Sequence, residues 1–222
     1  MELLAEIKED IRREKLEKLW QRFGIWIIST AVLVVVSSGL IVAWKYFQET
    51  TAAKQGGELF LAIESLNNGE LEKSKSTLTE TAKNNSSAGV LANLRLASIA
   101  IEANDKSAAK EHYQAVIKTP GVAKEFLDLA LLQNAKIALQ NSATDQAEIS
   151  TAIEQLKHIS ADNLSPWRAF ALEQLATYYL QKNETKKAEE FLTELARLEG
   201  LSETQKERVE LLISTLHKTS DK

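Results

Sequence analysis

Four alanines, Ala62, Ala97, Ala135 and Ala176, each stand inside a stretch of strong helix formers, and the residues that follow them repeat. Twelve residues on come Ser74, Ala109 and Ala188, and four further on a bulky side chain, Leu78, Tyr113 or Leu192. In the third unit the pair is Ala152 and Leu156, delayed five residues by an insertion around "NSATDQ". The starts lie 35, 38 and 41 residues apart. A period in this range marks stacked helical hairpins. Two antiparallel helices approach closely only where side chains are small, and a large residue one turn on fills the gap beside that contact. The pattern therefore demands an all-α solenoid of about four degenerate repeats.

Turn signals fall where such hairpins need them. "NNGE" at 67–70 and "ANDK" at 103–106 separate the helices of the first two units, and "KTPG" closes the second. "DNLSPW" opens the fourth, with Ser165 expected as N-cap and Pro166 in the first helical position. Gly200 is expected to end a helix, and Ser202 with Gln205 to form a capping box for a last one carrying Val209, Leu212, Ile213 and Leu216 on one face. That helix suits a solenoid cap. With no cysteine, neither disulfides nor thiolate metal sites contribute, so helix packing alone must hold the domain.

Before the repeats lies "GIWIISTAVLVVVSSGLIVAW", Gly24 to Trp44, without a single charge. The twenty residues at 25–44 would span about 30 Å as a helix, the thickness of a bilayer's hydrocarbon core. The run ends in "AWKYFQ", whose aromatic side chains do not suit signal cleavage, so an uncleaved single-pass span is expected. Trp26 and Trp44 are the expected membrane-interface residues at its two ends. Six cations precede the span (Lys8, Arg12, Arg13, Lys15, Lys18 and Arg22), against Lys45 and Lys54 just after it. The N-terminus is therefore expected in the cytoplasm. The layout is a cytoplasmic amphipathic arm at 1–24, a transmembrane helix at 25–44 and an exported repeat domain at 45–222. The arm's apolar residues form two faces, Leu3, Leu4, Ile7 and Ile11 on one and Leu16, Leu19, Trp20 and Phe23 on the other, as suits a helix lying partly on the membrane.

Small, bulky and aromatic residues at these offsets resemble the tetratricopeptide repeat signature, most clearly in "LATYYLQKNETKKAEEFLTELA". A single N-terminal span followed by about four such repeats resembles the YfgM-type family, the ancillary subunit of the bacterial SecYEG translocon. The stretches "GVLANLRLASIAIEANDKSAAKEHYQAV" and "SPWRAFALEQLATYYLQKNETKKAEEFL" carry that resemblance. It implies a bacterial inner-membrane protein with a periplasmic domain, and as partners the SecYEG translocon and periplasmic chaperones or folding factors. Departures from the pattern are a longer charged arm and an additional C-terminal helix.

The repeat resemblance also implies a concave groove lined by the first helix of each pair. Its expected residues are Leu59, Ile63 and Leu66; Leu91, Leu94, Ser98 and Ile101; Leu129, Leu132, Lys136 and Leu139; Phe170, Glu173, Thr177 and Leu180. The set is mostly aliphatic, with Lys136 nearly the only cation. An apolar ligand is therefore expected, either an unfolded segment or an amphipathic helix. In the competing reading a helix of the protein itself, residues 45–57 or the C-terminal one, fills the groove.

No catalytic chemistry is expected. His112, His158 and His217 fall on different helices at no metal spacing and read as surface residues. No phosphate loop or nucleophile motif occurs. A net charge of −4 without a basic stripe excludes nucleic acid. The expected protein is a non-enzymatic, cofactor-free and metal-free scaffold in protein export. The alternative is a structural adaptor in envelope biogenesis or cell division that acts by oligomerisation.

Overall fold

The computed structural model describes the backbone of residues 2–141 and 145–220, and side chains at 26, 30, 33, 34, 36–141, 145–214 and 216. Nine α-helices occur among these: α1 (Glu2–Asn67), α2 (Leu71–Ala82), α3 (Ser87–Glu102), α4 (Lys106–Lys118), α5 (Lys124–Gln140), α6 (Gln146–Ala161), α7 (Arg168–Gln181), α8 (Thr185–Ala196) and α9 (Glu203–Ser220). They divide into two compact units, Met1–Lys54 and Gln55–Lys222.

In the second unit the repeat has a backbone cause at three of its hairpins. Gly69, Asn104 and Asn183 each stand seven residues after their unit's alanine, and each is left-handed, with φ of 82°, 58° and 57°. Only glycine, and more rarely asparagine, adopts that conformation at small cost. The reversal lets the next amide return to the helix it has just left. Glu70 N–H donates to Ser65 C=O at 2.8 Å, Asp105 to Ala100 at 2.8 Å and Glu184 to Tyr179 at 2.9 Å. Each bond satisfies a carbonyl that the helix end would leave unpaired.

The expected small and bulky positions are all buried: Ala62, Ser74 and Leu78; Ala97, Ala109 and Tyr113; Ala135, Ala152 and Leu156; Ala176, Ala188 and Leu192. The apolar clusters bridge neighbouring hairpins. Val90 and Ala97 of α3 share a core with Tyr113 and Val116 of α4 and with Ala130 and Ile137 of α5. Leu132 of α5, Leu156 of α6, Leu175 of α7, Leu192 of α8 and Leu216 of α9 share another. No hairpin covers its own apolar face, so stacking supplies the stability, roughly 1.5–3 kcal/mol for each fully buried large aliphatic side chain. The α2–α3 loop is drawn in tightly: a Cβ on Gly89 would lie 1.9 Å from the Asn84 carbonyl oxygen.

The last helix caps the stack as expected. Ser202 N–H donates to Gln205 Oε1 at 2.9 Å and Gln205 N–H donates to Ser202 Oγ at 3.3 Å. Val209 and Leu216 are buried, and Leu212 and Ile213 pack against the core.

Three expectations need correction. Helix α7 begins at Arg168 with Trp167 in the N-cap position, because Ser165 is engaged in the preceding turn, where its amide donates to Asp162 C=O. Helix α8 ends at Ala196, and Gly200, with φ 79°, makes a later turn in the connection to α9. His112 is half-buried rather than a surface residue, with Nδ1 3.0 Å from Asn93 Oδ1. Among the described residues no helix is long and apolar enough to cross a membrane. The side chains at 24, 25, 27–29, 31, 32 and 35 lie outside the description and interrupt the apolar run. Those of the arm at 1–24, and that of His217, lie outside it too.

Candidate functional site

The expected groove residues separate into three environments. Leu59, Leu132 and Leu180 are buried in core clusters, Leu132 with only 2% of its surface exposed. They pack the solenoid instead of lining an open surface. Leu66, Leu94, Leu139 and Phe170 are partly buried against the same cores, and Leu129 is half-buried. Ile63, Leu91 and Ile101 remain exposed.

At the fourth unit the last helix engages the groove positions. Arg208 of α9 pairs with Glu173 at 3.0 Å, and its guanidinium lies 5.9 Å from the centre of the Phe170 ring. Thr177 donates its hydroxyl to Glu173 C=O at 2.8 Å. The C-terminal helix thus contacts Glu173 and Phe170 of the expected surface through Arg208.

Three expected residues do come together. Ser98 and Ile101 of α3 and Lys136 of α5 line one cavity of about 370 Å³, whose remaining walls are Glu102, Asn104, Lys106, Tyr113, Gln133, Ile137 and Gln140. Helical spacing explains the arrangement. Ser98, Ile101 and Glu102 share one face of α3, and Gln133, Lys136, Ile137 and Gln140 share one face of α5, at offsets of three and four residues. Tyr113 of α4 closes the space between them. Its ring is the buried packing element of the second repeat, 6% exposed, and burial raises the phenol's pKa above the ordinary tyrosine value.

The hydrogen-bonding capacity of this cavity is largely unused by the protein. Ser98 donates to Glu102 across a long 3.4 Å. Among the described residues, the side chains of Lys106, Gln133, Lys136 and Gln140 and the Tyr113 hydroxyl have no hydrogen-bond or ion-pair partner. Elsewhere in the solenoid, cations that reach another element are paired: Lys110 with Glu148, Lys124 with Asp162 at 2.9 Å, and Arg168 with Glu194 at 2.8 Å.

The sequence reading missed Gln133 and Gln140, although their spacing from Lys136 places them on its face. It also missed Lys106, which no single-helix pattern reaches because it comes from the second helix of its hairpin. A second cavity, of about 440 Å³ beside Glu58, Leu61 and Lys73, is lined by none of the expected groove residues. Among the described residues no group of three or more histidines and acids could hold a metal ion.

No curated protein and no solved structure gives a match to the chain. A family model described as a tetratricopeptide repeat-like domain matches residues 17–190. With paired helices in register, buried small residues at their crossings and a cavity between successive first helices, the chain belongs to the tetratricopeptide repeat-like domain family, whose fold serves as a scaffold for protein–protein interaction.

Proposed function

We propose that this protein is a non-enzymatic, membrane-anchored scaffold that holds newly exported chains or their periplasmic chaperones beside the SecYEG translocon. Its N-terminus lies in the cytoplasm and its repeats in the periplasm of a bacterial inner membrane. The observation that carries the anchor is the exposure along α1. Trp26, Leu33, Val34, Val36, Leu40, Ile41, Val42 and Trp44 are bare over 54–71% of their surface, and at about 100° per residue they point all round the helix. Such a helix needs an apolar solvent. The described hydroxyls of this stretch are satisfied internally: Thr30 donates to Trp26 C=O, and Ser37 and Ser38 donate to Val34 C=O. A helix among lipid tails requires that arrangement. The partners rest on the resemblance and on the membership in an interaction-scaffold family.

Photo-crosslinking in native membranes tests the proposal. Adducts with translocon subunits support it, whereas extraction of the protein by alkaline carbonate would end the anchor reading. A structural adaptor acting by oligomerisation is the second reading, favoured by Phe60 and Leu61, which leave 67% and 58% of their surface bare on the first repeat helix. Adducts between copies of the chain alone would establish it instead.

A further inference from the structure

We infer that the loop between α6 and α7 is a second membrane contact of the chain, with Leu164 seated in the lipid surface so that the repeat domain is oriented on the bilayer. Such a contact rests on the anchored reading of the protein and adds to it an attachment made by the folded domain itself.

The loop holds Leu164 out on a rigid base. Leu164 leaves 92% of its surface bare, more than any other large apolar side chain among the described residues. Its neighbours are all tied down. Lys124 pairs with Asp162 at 2.9 Å, the Ser165 hydroxyl donates to Asp128, Arg168 donates to Asn163 Oδ1, and the Trp167 indole donates to Glu125 C=O. A side chain presented by a fixed loop loses little conformational freedom when it is covered.

The chemistry of the tip suits lipid. Residues 163–167 carry no charge, and the charge of Asp162 just before them is paired with Lys124. Backbone entering an apolar medium must find its hydrogen bonds internally. Leu164 N–H donates to Asp162 Oδ1 at 2.9 Å, Ser165 N–H to Asp162 C=O at 3.2 Å and Trp167 N–H to Ser165 Oγ at 3.3 Å, while Pro166 has no N–H to satisfy. The half-buried Trp167 beside Leu164 is the residue type that favours the headgroup level.

Position favours lipid over a protein partner. The connections between successive hairpins share one pole of the second unit. Ser86 and Val90 line one cavity with Pro120 and Phe126, Lys124 joins the start of α5 to Asp162, and Arg168 joins the start of α7 to Glu194 of α8. Gln55 begins the unit at this same pole, since Leu59, one turn on, shares its core with Leu78 and Ala82 towards the end of α2. The opposite pole is polar, with Asn68, Glu70, Asn104, Asp105, Asn183 and Glu184 in its described turns. The proposed span ends at Trp44, and even a fully extended chain from there to Gln55 reaches no more than about 40 Å. One leucine binds lipid weakly, but an anchor entering at its own pole raises its effective concentration at the surface.

The test uses the full chain in phosphatidylcholine vesicles. Because the chain has no cysteine, Asn163→Cys and Lys182→Cys each carry one environment-sensitive nitrobenzoxadiazole probe, at the loop and at the opposite pole. A lipid spin-labelled near the top of its acyl chain should quench the probe at 163 and not that at 182, and aqueous iodide should do the reverse. Adding Leu164→Asp to Asn163→Cys should abolish the lipid quenching and leave the melting temperature near its original value, whereas Leu164→Phe should preserve the quenching. Quenching that survives Leu164→Asp, or iodide quenching equal at both positions, overturns the loop contact. A probe at 163 shielded from iodide and lipid alike assigns Leu164 to a protein partner and overturns the lipid assignment. If the chain still floats with the vesicles after alkaline carbonate, those failures leave the anchor standing; a chain that carbonate strips away overturns both.

Discussion

Ser165 donates its hydroxyl to the carboxylate of Asp128 at 2.8 Å, joining residues 37 apart in sequence, and Asp128 is only 2% exposed. Lys124 reaches the same carboxylate oxygen at 2.7 Å, and the Trp167 indole donates to Glu125 C=O at 2.7 Å. The start of α5 is thereby tied to the connection between α6 and α7. Ser165→Ala should lower stability by about 1–2 kcal/mol, because a buried carboxylate loses a donor. Asp128→Ala should cost more, about 2–3 kcal/mol, since it also strands the Ser165 hydroxyl. Urea unfolding monitored by circular dichroism measures both, and a Ser165→Ala midpoint equal to the parent's would refute the tie.

The same cluster sets an acid response. The Lys124 ammonium, and after it the Leu164 amide, hold the Asp162 carboxyl below its usual range, while Asp128 and Asp162 hold the Lys124 ammonium above its own. On acidification the unfolded chain takes up the Asp162 proton first. The stabilisation is therefore complete above the ordinary aspartate pKa of about 3.9 and is lost as pH falls through the lower folded-state value. Asp162→Asn should flatten stability against pH below about 4 and leave the neutral region sloped as before.

His112 responds at milder acidity. Asn93 Nδ2 already donates to Ala82 and Gly89 carbonyls at 3.1 Å each, so Asn93 Oδ1 accepts and His112 Nδ1 donates. Burial lowers the imidazole's pKa, against a smaller opposing pull from Glu111. Below about pH 6.5 the unfolded chain gains a proton that the folded chain resists, so stability falls as pH drops from about 7 to about 5. His112→Gln should remove most of that slope in paired urea titrations. A parent protein equally stable at both pH values would contradict the assignment.

Repeat register can be probed at the helix crossings. Ala176 and Ala188 are fully buried where α7 meets α8. Leucine at either position should destabilise by about 1–3 kcal/mol through overpacking. Leucine at the exposed Ala196, on the same helix as Ala188, should change the melting temperature little.

Two glycines separate crowding from conformation. Gly69 has φ 82° with open space where a Cβ would go, so Gly69→Ala should cost only the left-handed strain, about 1–2 kcal/mol. Gly89 is helical, but its Cβ would strike the Asn84 carbonyl. Gly89→Ala should therefore be the more damaging of the two in thermal unfolding, and the reverse order would argue against the close approach of that loop.

Helix identity and repeat register were legible in the sequence because both are short-range: small residues at crossings, Gly or Asn at hairpin turns and a capping box act within a few residues of themselves. Ala97, Ala109 and Tyr113 illustrate this, since spacing alone located their contact. The groove was legible only in outline. Ile101 and Leu139 each stand four residues after their unit's alanine on successive first helices, yet Leu139 packs against the core and Ile101 is exposed, because burial depends on how neighbouring hairpins stack. The pairing of Arg208 with Glu173, the approach of Lys106 to Lys136 and the burial of Asp128 likewise join residues about 30 or more positions apart. Periodicity reports which face of a helix is apolar. Only the tertiary packing decides what that face meets.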